Sequence, residues 1–500
     1  MTKLKLLPQA LSLTLCSLVG TIAATPLMAA DLTLYVDSVT GQLYAEPGAN
    51  RTLLGNFRPV VEAGQAQTEQ ALPIVSPEAP SAQMAQLETR VVENEQKIAT
   101  LEERNATANT RSPFTGRFQV RGYLQTRYTS MLGGDEGINL YSDRSVGDDQ
   151  SLGDADKNFL IRRARLVFQG DVGERLSFYI QPDLASTAGT TGNVFQMRDA
   201  YGDFYLTTDR VHRIRVGQSK VPYGWENLQS SSNRLTLDRN DAFNSAVKDE
   251  RDLGAFYYYT PTDVQALYNE INSQGLKHSG NYGMFGVGFY NGEGANRGDR
   301  NDSQHSVIRV NYPWKFANGQ FFEASIQGIS GKYVPSTGAY RAAGNISLTP
   351  IIANSFQSGF DDERVGVSAI WYPQPFGLQA EWTWGTSPQL NLATNNIVEE
   401  DLEGGYVMAM MKLDNDYGTF LPFVKWQYYD GANKAETNAP ASNVNDIELG
   451  VEWQIAAEVE LAAIYHRMNR TNLVTGNRAG RLDYQEFDAD ALRIQLQYNY

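Results

Sequence analysis

The chain has 500 residues, of which 42% are apolar and 20% are charged, so it is long and apolar enough to fold around a core. Its formal charge of −15 at pH 7 argues against nucleic-acid binding, which favours a basic face. Its one cysteine excludes a disulfide framework, and beyond the first thirty positions no apolar run reaches the about 18 residues of a transmembrane helix.

Residues 1–30 have the pattern of a secretory signal peptide. Two lysines stand near the start, residues 11–24 are mostly apolar, and small residues lead up to Ala30. Cleavage after Ala30 would remove Cys16 and leave a mature chain without thiols. The pattern therefore predicts an exported protein that uses no disulfide bonds.

Two short segments follow the predicted signal peptide. Residues 31–80 are predicted to be a periplasmic segment and linker, with a strand at 32–36 and several prolines further on. Residues 81–108 contain three heptads with Met84, Val91 and Ile98 at the a positions and Leu87, Asn94 and Leu101 at the d positions. This pattern favours a short homo-oligomeric coiled coil, and a single amphipathic helix packed on a neighbouring domain is the alternative.

From residue 114 to residue 500 the hydrophobic pattern has a period of two, as in Leu492, which is followed by Arg493. Sixteen strands are predicted if 251–273 is one long or interrupted strand, and a break at Pro261 would give an odd number. The predicted strands lie near 117–128, 158–170, 175–186, 195–207, 211–219, 251–273, 281–290, 304–314, 320–331, 363–373, 377–387, 403–414, 419–430, 444–454, 459–470 and 492–500.

Alternation also occurs in soluble sandwiches and propellers, but four features favour a membrane barrel. Minimal turns such as 171–174 contrast with long polar loops at 131–156, 218–250, 333–362, 388–402, 431–443 and 470–488. Aromatic residues gather at strand ends, arginines occupy the polar face, and the chain ends on Tyr500. The prediction is an all-β, 16-stranded antiparallel transmembrane β-barrel over 114–500, wide enough for an aqueous channel.

Basic residues in the first strands are the candidate pore-lining groups. An arginine-lined wall would favour anions through charge-assisted hydrogen bonds. The alternative is that these arginines pair with Asp183, Asp199 and Asp203 in a wet ion-pair network with little selectivity. The candidate anion-binding or pore-lining residues are Arg121, Arg163, Arg165, Arg213, Arg215, Lys220, Arg234 and Lys248.

The segment 218–250 is too long for a plain connection between strands. It is predicted to fold into the lumen and narrow it, with serine and asparagine side chains at 230–233 that could replace water around a passing ion. The alternative is an external lid or a latch between subunits.

Four sequence blocks resemble those of the phosphate-selective porin O/P family: 159–166 (FLIRRARL), 215–226 (RVGQSKVPYGWE), 249–254 (DERDLG) and 288–294 (GFYNGEG). The resemblance is strongest over 114–310. It implies a trimeric outer-membrane porin whose third external loop constricts the lumen, with arginines that guide anions towards a lysine-containing site. By position it places Arg163, Arg165 and Arg215 on the wall, and Lys220 and Arg234 in or beside the constriction.

No catalytic, metal or cofactor site is predicted. The four histidines have no metal-ligand spacing, and Ser303 and Asp302 near His305 are more simply read as a solvated loop. The segment 328–332 lacks the first glycine and the Ser/Thr of a phosphate loop, and the acidic loop 135–156 lacks an EF-hand register.

The sequence thus predicts a homotrimeric porin in the outer membrane of a Gram-negative bacterium, in contact with lipid and lipopolysaccharide. Small anions would diffuse passively through a lumen constricted by 218–250, with phosphate preference as the narrower expectation. A general or cation-tolerant porin dominated by its acidic loops is the alternative, followed by a binding or adhesion barrel with a plugged lumen.

Overall fold

The structure is a computed structural model that describes residues 32–37, 43–44, 51–57, 118–135, 138, 140, 157–187, 193–341, 346–473 and 484–500. The chain divides into two compact units, residues 1–90 and 91–500. In the first unit β1 (Leu32–Asp37) pairs with β2 (Leu43–Tyr44) and β3 (Arg51–Phe57), so the predicted strand at 32–36 is present. The predicted signal peptide and the predicted coiled coil over 81–108 lie outside the described residues.

The second unit contains a closed antiparallel barrel in which each strand pairs with its neighbours in the chain and the last strand pairs with the first. Its first eight strands are β4 (Phe118–Gly134), β5 (Lys157–Val172), β6 (Leu176–Thr187), β7 (Asn193–Tyr205), β8 (His212–Lys220), β9 (Arg251–Tyr259), β10 (Phe285–Tyr290) and β11 (His305–Lys315). The small pair β13 (Tyr340–Arg341) and β14 (Ser347–Leu348) stands apart, and the wall continues with β12 (Phe321–Tyr333), β15 (Phe360–Trp371), β16 (Phe376–Asn391), β17 (Asn396–Met411), β18 (Leu413–Asn415), β19 (Gly418–Ala432), β20 (Ala441–Ala456), β21 (Val459–Leu473) and β22 (Tyr484–Asn499).

The barrel has sixteen strands when the three-residue β18 is counted as the end of β17, since both pair with β19. The predicted count is therefore confirmed. Among the described residues, three α-helices belong to the connections between wall strands: α1 (Trp225–Leu228), α2 (Asp241–Asn244) and α3 (Thr262–Ser273).

Two local predictions are wrong. The strand predicted over 251–273 ends at Tyr259, and α3 begins after Pro261. The long loop predicted over 388–402 is instead strand, because β16 and β17 continue to a turn at 392–395.

The two faces of the wall differ in polarity as the alternation predicts. In β15 every second residue is exposed, and Val365 and Val367 point outward while Arg364 and Ser368 are buried inside the ring. Outward aromatic side chains stack near the short turns, as in Trp314 on Phe322, with ring centroids 5.5 Å apart. Apolar residues can face lipid here because closure of the ring leaves no strand edge unpaired.

The ring closes between the two ends of the barrel sequence. The Gly122 amide donates to the Tyr500 carbonyl at 2.6 Å, and the Tyr500 amide donates to the Gly122 carbonyl at 3.0 Å. A Cβ at residue 122 would lie 2.6 Å from the aromatic side chain of Tyr500. Glycine is therefore needed where this side chain covers the first strand of the barrel.

The two ends of the barrel have different connections. At one end, called the short-turn end, turns such as 173–175 and 457–458 join the strands. At the other, the long-loop end, connections such as 221–250 and 334–359 are much longer. Within the described parts of the chain, no helix is long and apolar enough to cross a bilayer.

Candidate functional site in the barrel lumen

The connection 221–250, called the lumen loop, packs against the inner face of the wall. Tyr223 and Phe243 of the loop are buried against Phe256 and Tyr258 of β9 and Tyr429 of β19. The apolar side of the lumen loop therefore rests on wall residues that come from separate parts of the ring.

Polar contacts also join the lumen loop to the wall strands β19, β21 and β4. Lys425 on β19 donates to Glu226 at 2.7 Å, and Arg470 on β21 donates to Asp241 at 2.9 Å. On the other side, Gln125 of β4 donates to the Ser231 carbonyl at 2.9 Å. The predicted folding of this segment into the lumen matches these contacts, and an external lid does not.

Wall and loop groups hold the backbone of α1 in place. The amides of Trp225 and Glu226 donate to the Glu381 carboxylate at 2.6 and 2.8 Å, which satisfies unpaired N–H groups of the first helical turn. Gly224 precedes the helix with φ of 82°, and a Cβ there would lie 2.8 Å from Phe243. This position therefore requires glycine for both its conformation and its close packing.

Three of the predicted arginines pair with acidic residues on the wall. Arg165 donates to Asp183 at 2.7 Å, and Arg215 forms two hydrogen bonds with Asp203, at 2.7 and 2.9 Å. Arg213 lies 3.6 Å from the same Asp203 carboxylate. At these positions the contacts are those of the ion-pair alternative.

The Asp199 carboxylate pairs with an arginine that the candidate list omitted. Arg251 lies 3.0 Å from Asp199 and 2.7 Å from Glu250 of the lumen loop. Arg251 therefore joins the wall network to the loop.

The two predicted lysines have different environments. The Lys220 ammonium donates to the carbonyls of Leu228 and Gln229 at 2.8 and 2.6 Å, so it holds the lumen loop in place. Lys248 lies 3.6 Å from Glu436 in the connection 433–440.

Arg121 is exposed near the short-turn end and donates to Gln169 at 3.4 Å. It is therefore separate from Lys220, Arg234 and Lys248, which contact or belong to the lumen loop.

Arginines also gather around one carboxylate of the lumen loop, and we call this group the arginine cluster. Asp238 contacts Arg493 of β22 and lies 3.5 Å from Arg127 of β4 and 3.9 Å from Arg162 of β5. Arg234 and Arg127 donate to the same Leu237 carbonyl, at 3.0 and 3.4 Å. The arginine cluster consists of Arg127, Arg162, Arg163, Arg234 and Arg493 around Asp238.

Arg163 and Arg234 carry the least compensated charge in the arginine cluster. Arg163 donates to the neutral Gln125 side chain at 2.8 Å and is within electrostatic range of Arg234. Among the described residues neither arginine has a carboxylate within 4.0 Å, and Nε of Arg163 and Nε and Nη1 of Arg234 are buried without hydrogen-bond partners. These groups are suited to receive the oxygens of an anion.

A β-bulge explains how adjacent residues of β5 join one cluster. Gln125 pairs with Arg163 and Thr126 pairs with Ile161, so Arg162 is the extra residue. Strict alternation places Arg162 on the outer face, which is why it is absent from the candidate list. Ile161 and Phe159 are exposed on the outside, and this break in the apolar alternation was the available sequence signal.

The pKa of Asp238 reflects the arginines around it. Burial alone would raise the pKa of this carboxyl, but Arg493, Arg127, Arg162 and Arg163 hold it well below its ordinary value. Asp238 therefore stays ionised beside these arginines.

The comparisons with known proteins agree with this fold. The family model "Phosphate-selective porin O and P" matches residues 138–500, and the chain belongs to this family. It is accordingly an outer-membrane porin of a Gram-negative bacterium. A search of characterised proteins found no matching sequence.

Three solved structures illustrate the structural likeness. The outer membrane channel DcaP of Acinetobacter baumannii has 13% identity and a TM-score of 0.45, over 77% of this chain and 97% of that chain. The anion-selective porin of Comamonas acidovorans has 12% identity and a TM-score of 0.42, over 77% and 99%. OmpF of Salmonella typhi in complex with daunomycin has 12% identity and a TM-score of 0.45, over 77% and 98%.

The carboxylates that anchor the lumen loop predict how it responds to acid. Burial would raise the pKa of Glu226 and of Glu250, but Lys425 and Arg234 lower the first and Arg239 and Arg251 lower the second. A carboxyl whose pKa is lower in the folded protein than in the unfolded chain stabilises the folded loop at pH values above its unfolded-state pKa of about 4. This stabilisation is lost as the pH falls through the pKa of the folded state. Single-channel current noise that arises from protonation of Glu226 or Glu250 should therefore appear only below about pH 4.

The Glu226→Gln variant tests the assignment, because it removes the contact with Lys425 at every pH. Its current noise should be raised already at pH 7. Noise in the unmodified protein that begins near pH 6 would contradict the assigned anchors.

Proposed function

We propose that the protein is a passive diffusion channel for small anions and that the arginine cluster is its selectivity site. The observation that supports this most is five guanidinium groups around one carboxylate, Asp238, where the lumen loop meets β4, β5 and β22. An anion at this place would gain hydrogen bonds from buried N–H groups, and a cation would be repelled.

The cluster differs from the other charges of the lumen. Arg165, Arg215 and Arg251 are paired with Asp183, Asp203 and Asp199, respectively. Their charges are compensated locally, so they contribute little net field. Selectivity in this proposal then depends on Arg163 and Arg234, whose buried guanidinium nitrogens include atoms without hydrogen-bond partners. Phosphate is a candidate solute because guanidinium groups bind its oxygens in pairs.

Charge reversal at the least compensated arginines should reverse the selectivity. In Arg163→Glu and in Arg234→Glu, the permeability ratio of chloride to potassium should fall about tenfold. The reason is that one charge next to a passing ion changes the interaction energy by on the order of 1–2 kcal/mol in partly wetted surroundings. The measurement is the reversal potential in a KCl gradient across a planar bilayer.

Arg467→Glu is the matched control, because Arg467 is half exposed on the outer face of β21 and pairs there with Asp490. It should leave the reversal potential unchanged. An unmodified channel that prefers potassium and is not blocked by phosphate would refute the proposal and favour the cation-tolerant alternative.

We also propose that the channel is a homotrimer with the wall β8–β10 at the subunit interface. These strands have only 9, 9 and 6 residues. At about 3.3 Å per residue, and tilted, β10 covers less than the about 25 Å apolar band of an outer-membrane barrel. A neighbouring subunit would cover this low wall. In this arrangement the long loops face outward towards lipopolysaccharide and the N-terminal unit lies in the periplasm.

Phe289 tests the proposed interface, because it is 58% exposed on the outer face of β10. Phe289→Asp should convert the detergent-solubilised trimer to monomers in static light scattering. Phe376→Asp is the control, since Phe376 is 53% exposed on the long strand β16. A monomeric unmodified protein, or a trimeric Phe289→Asp variant, would contradict this interface.

A further inference from the structure

A second chain segment enters the lumen from the opposite end of the barrel. The connection 260–284 between β9 and β10, called the short-end segment, contains α3 and lies among connections that are otherwise brief turns. Val264, Tyr268 and Ile271 on one face of α3 are buried, at 0%, 3% and 0% exposure. This helix is therefore packed into the barrel rather than displayed outside it.

Some contacts of the short-end segment are with the wall strands that follow it in the chain. Tyr268 accepts a hydrogen bond from Asn311 of β11 at 2.7 Å. The His278 imidazole lies 3.4 Å from the Glu323 carboxylate of β12, and both side chains are almost completely buried. These contacts anchor the segment on the strands next to its origin.

Another contact of the segment is with the opposite wall. Lys277 lies 2.7 Å from Glu452 of β20 and 3.8 Å from Glu460 of β21. In the barrel order, β20 and β21 are separated from β9 and β10 by many strands on either side. The segment therefore crosses the lumen near the short-turn end, and Lys277 joins it to the far wall.

The short-end segment and the lumen loop also meet. Gln229 donates to the Lys277 carbonyl at 3.0 Å, and Asn233 donates to the His278 carbonyl at 3.0 Å. Trp225 of the loop shares an apolar cluster with Ile271 and Leu276. The two elements are thus in direct contact inside the barrel.

We propose that the short-end segment is a second constriction of the channel and that the ion pair of Lys277 with Glu452 and Glu460 holds it across the lumen. The lumen loop limits passage from the long-loop end, and the short-end segment limits it from the short-turn end. The proposal concerns pore width and goes beyond the anion preference assigned to the arginine cluster.

Conductance and charge swaps test this inference. Replacing residues 263–275 by a short Gly-Ser turn should raise single-channel conductance in KCl at least about twofold, because an obstruction in series is removed. Lys277→Glu places a third carboxylate beside Glu452 and Glu460, so it should also raise conductance. The double variant Lys277→Glu with Glu452→Lys restores an opposite pair and should return conductance towards the original value.

Lys332→Glu is the matched control, because it makes the same charge change at an exposed pair with Asp361 on the outer face of β12. It should leave conductance unchanged. Each variant is first shown to fold by its heat-modifiable gel mobility.

Unchanged conductance in the 263–275 replacement, or equal behaviour of Lys277→Glu and Lys332→Glu, would overturn the inference. The reversal potential reports separately on the arginine cluster. Failure of the anion proposal and failure of the second constriction are therefore distinguishable.

Discussion

The arrangement inside the barrel depends on charge pairing between the lumen loop and the wall. Glu226, Asp241 and Glu250 contact Lys425, Arg470 and Arg251 on strands far apart in the ring. Each charge is largely removed from water, a state that is tolerated only where opposite charges or hydrogen bonds compensate it. These pairs hold a thirty-residue segment in one position, and the position of that segment decides which wall arginines face the solute.

The same kind of pairing compensates much of the basic charge on the wall. Asp183 and Asp203 each pair with an arginine of the adjacent strand, and Asp199 pairs with Arg251 two strands away. Near Asp238, by contrast, buried guanidinium nitrogens of Arg163 and Arg234 have no hydrogen-bond partner. A chain with an overall charge of −15 can thus present a locally positive passage, because local placement determines the field that an ion meets.

The sequence predicted the barrel well because period-two alternation records a physical requirement, apolar residues towards lipid and polar residues towards water. It was less informative where that period breaks. The bulge at Arg162 places this arginine beside Asp238, although alternation predicts that it faces outward. The apolar residues Val264, Tyr268 and Ile271 have helical spacing, but they lie in a segment that alternation assigns to a strand. The partners of Lys220 and Arg234 were also beyond prediction, because contacts of the lumen loop join residues remote in sequence.

The account rests on the lumen loop lying inside the ring, and cysteine cross-linking tests this most directly. Gln125 donates to the Ser231 carbonyl at 2.9 Å, while the preceding residue, Leu124, is on the opposite face of β4. In a background without Cys16, a short bifunctional thiol reagent should link Ser231→Cys to Gln125→Cys in the folded barrel and should fail with Leu124→Cys. Absence of the first cross-link, or equal yields at both positions, would contradict the structure of the constriction.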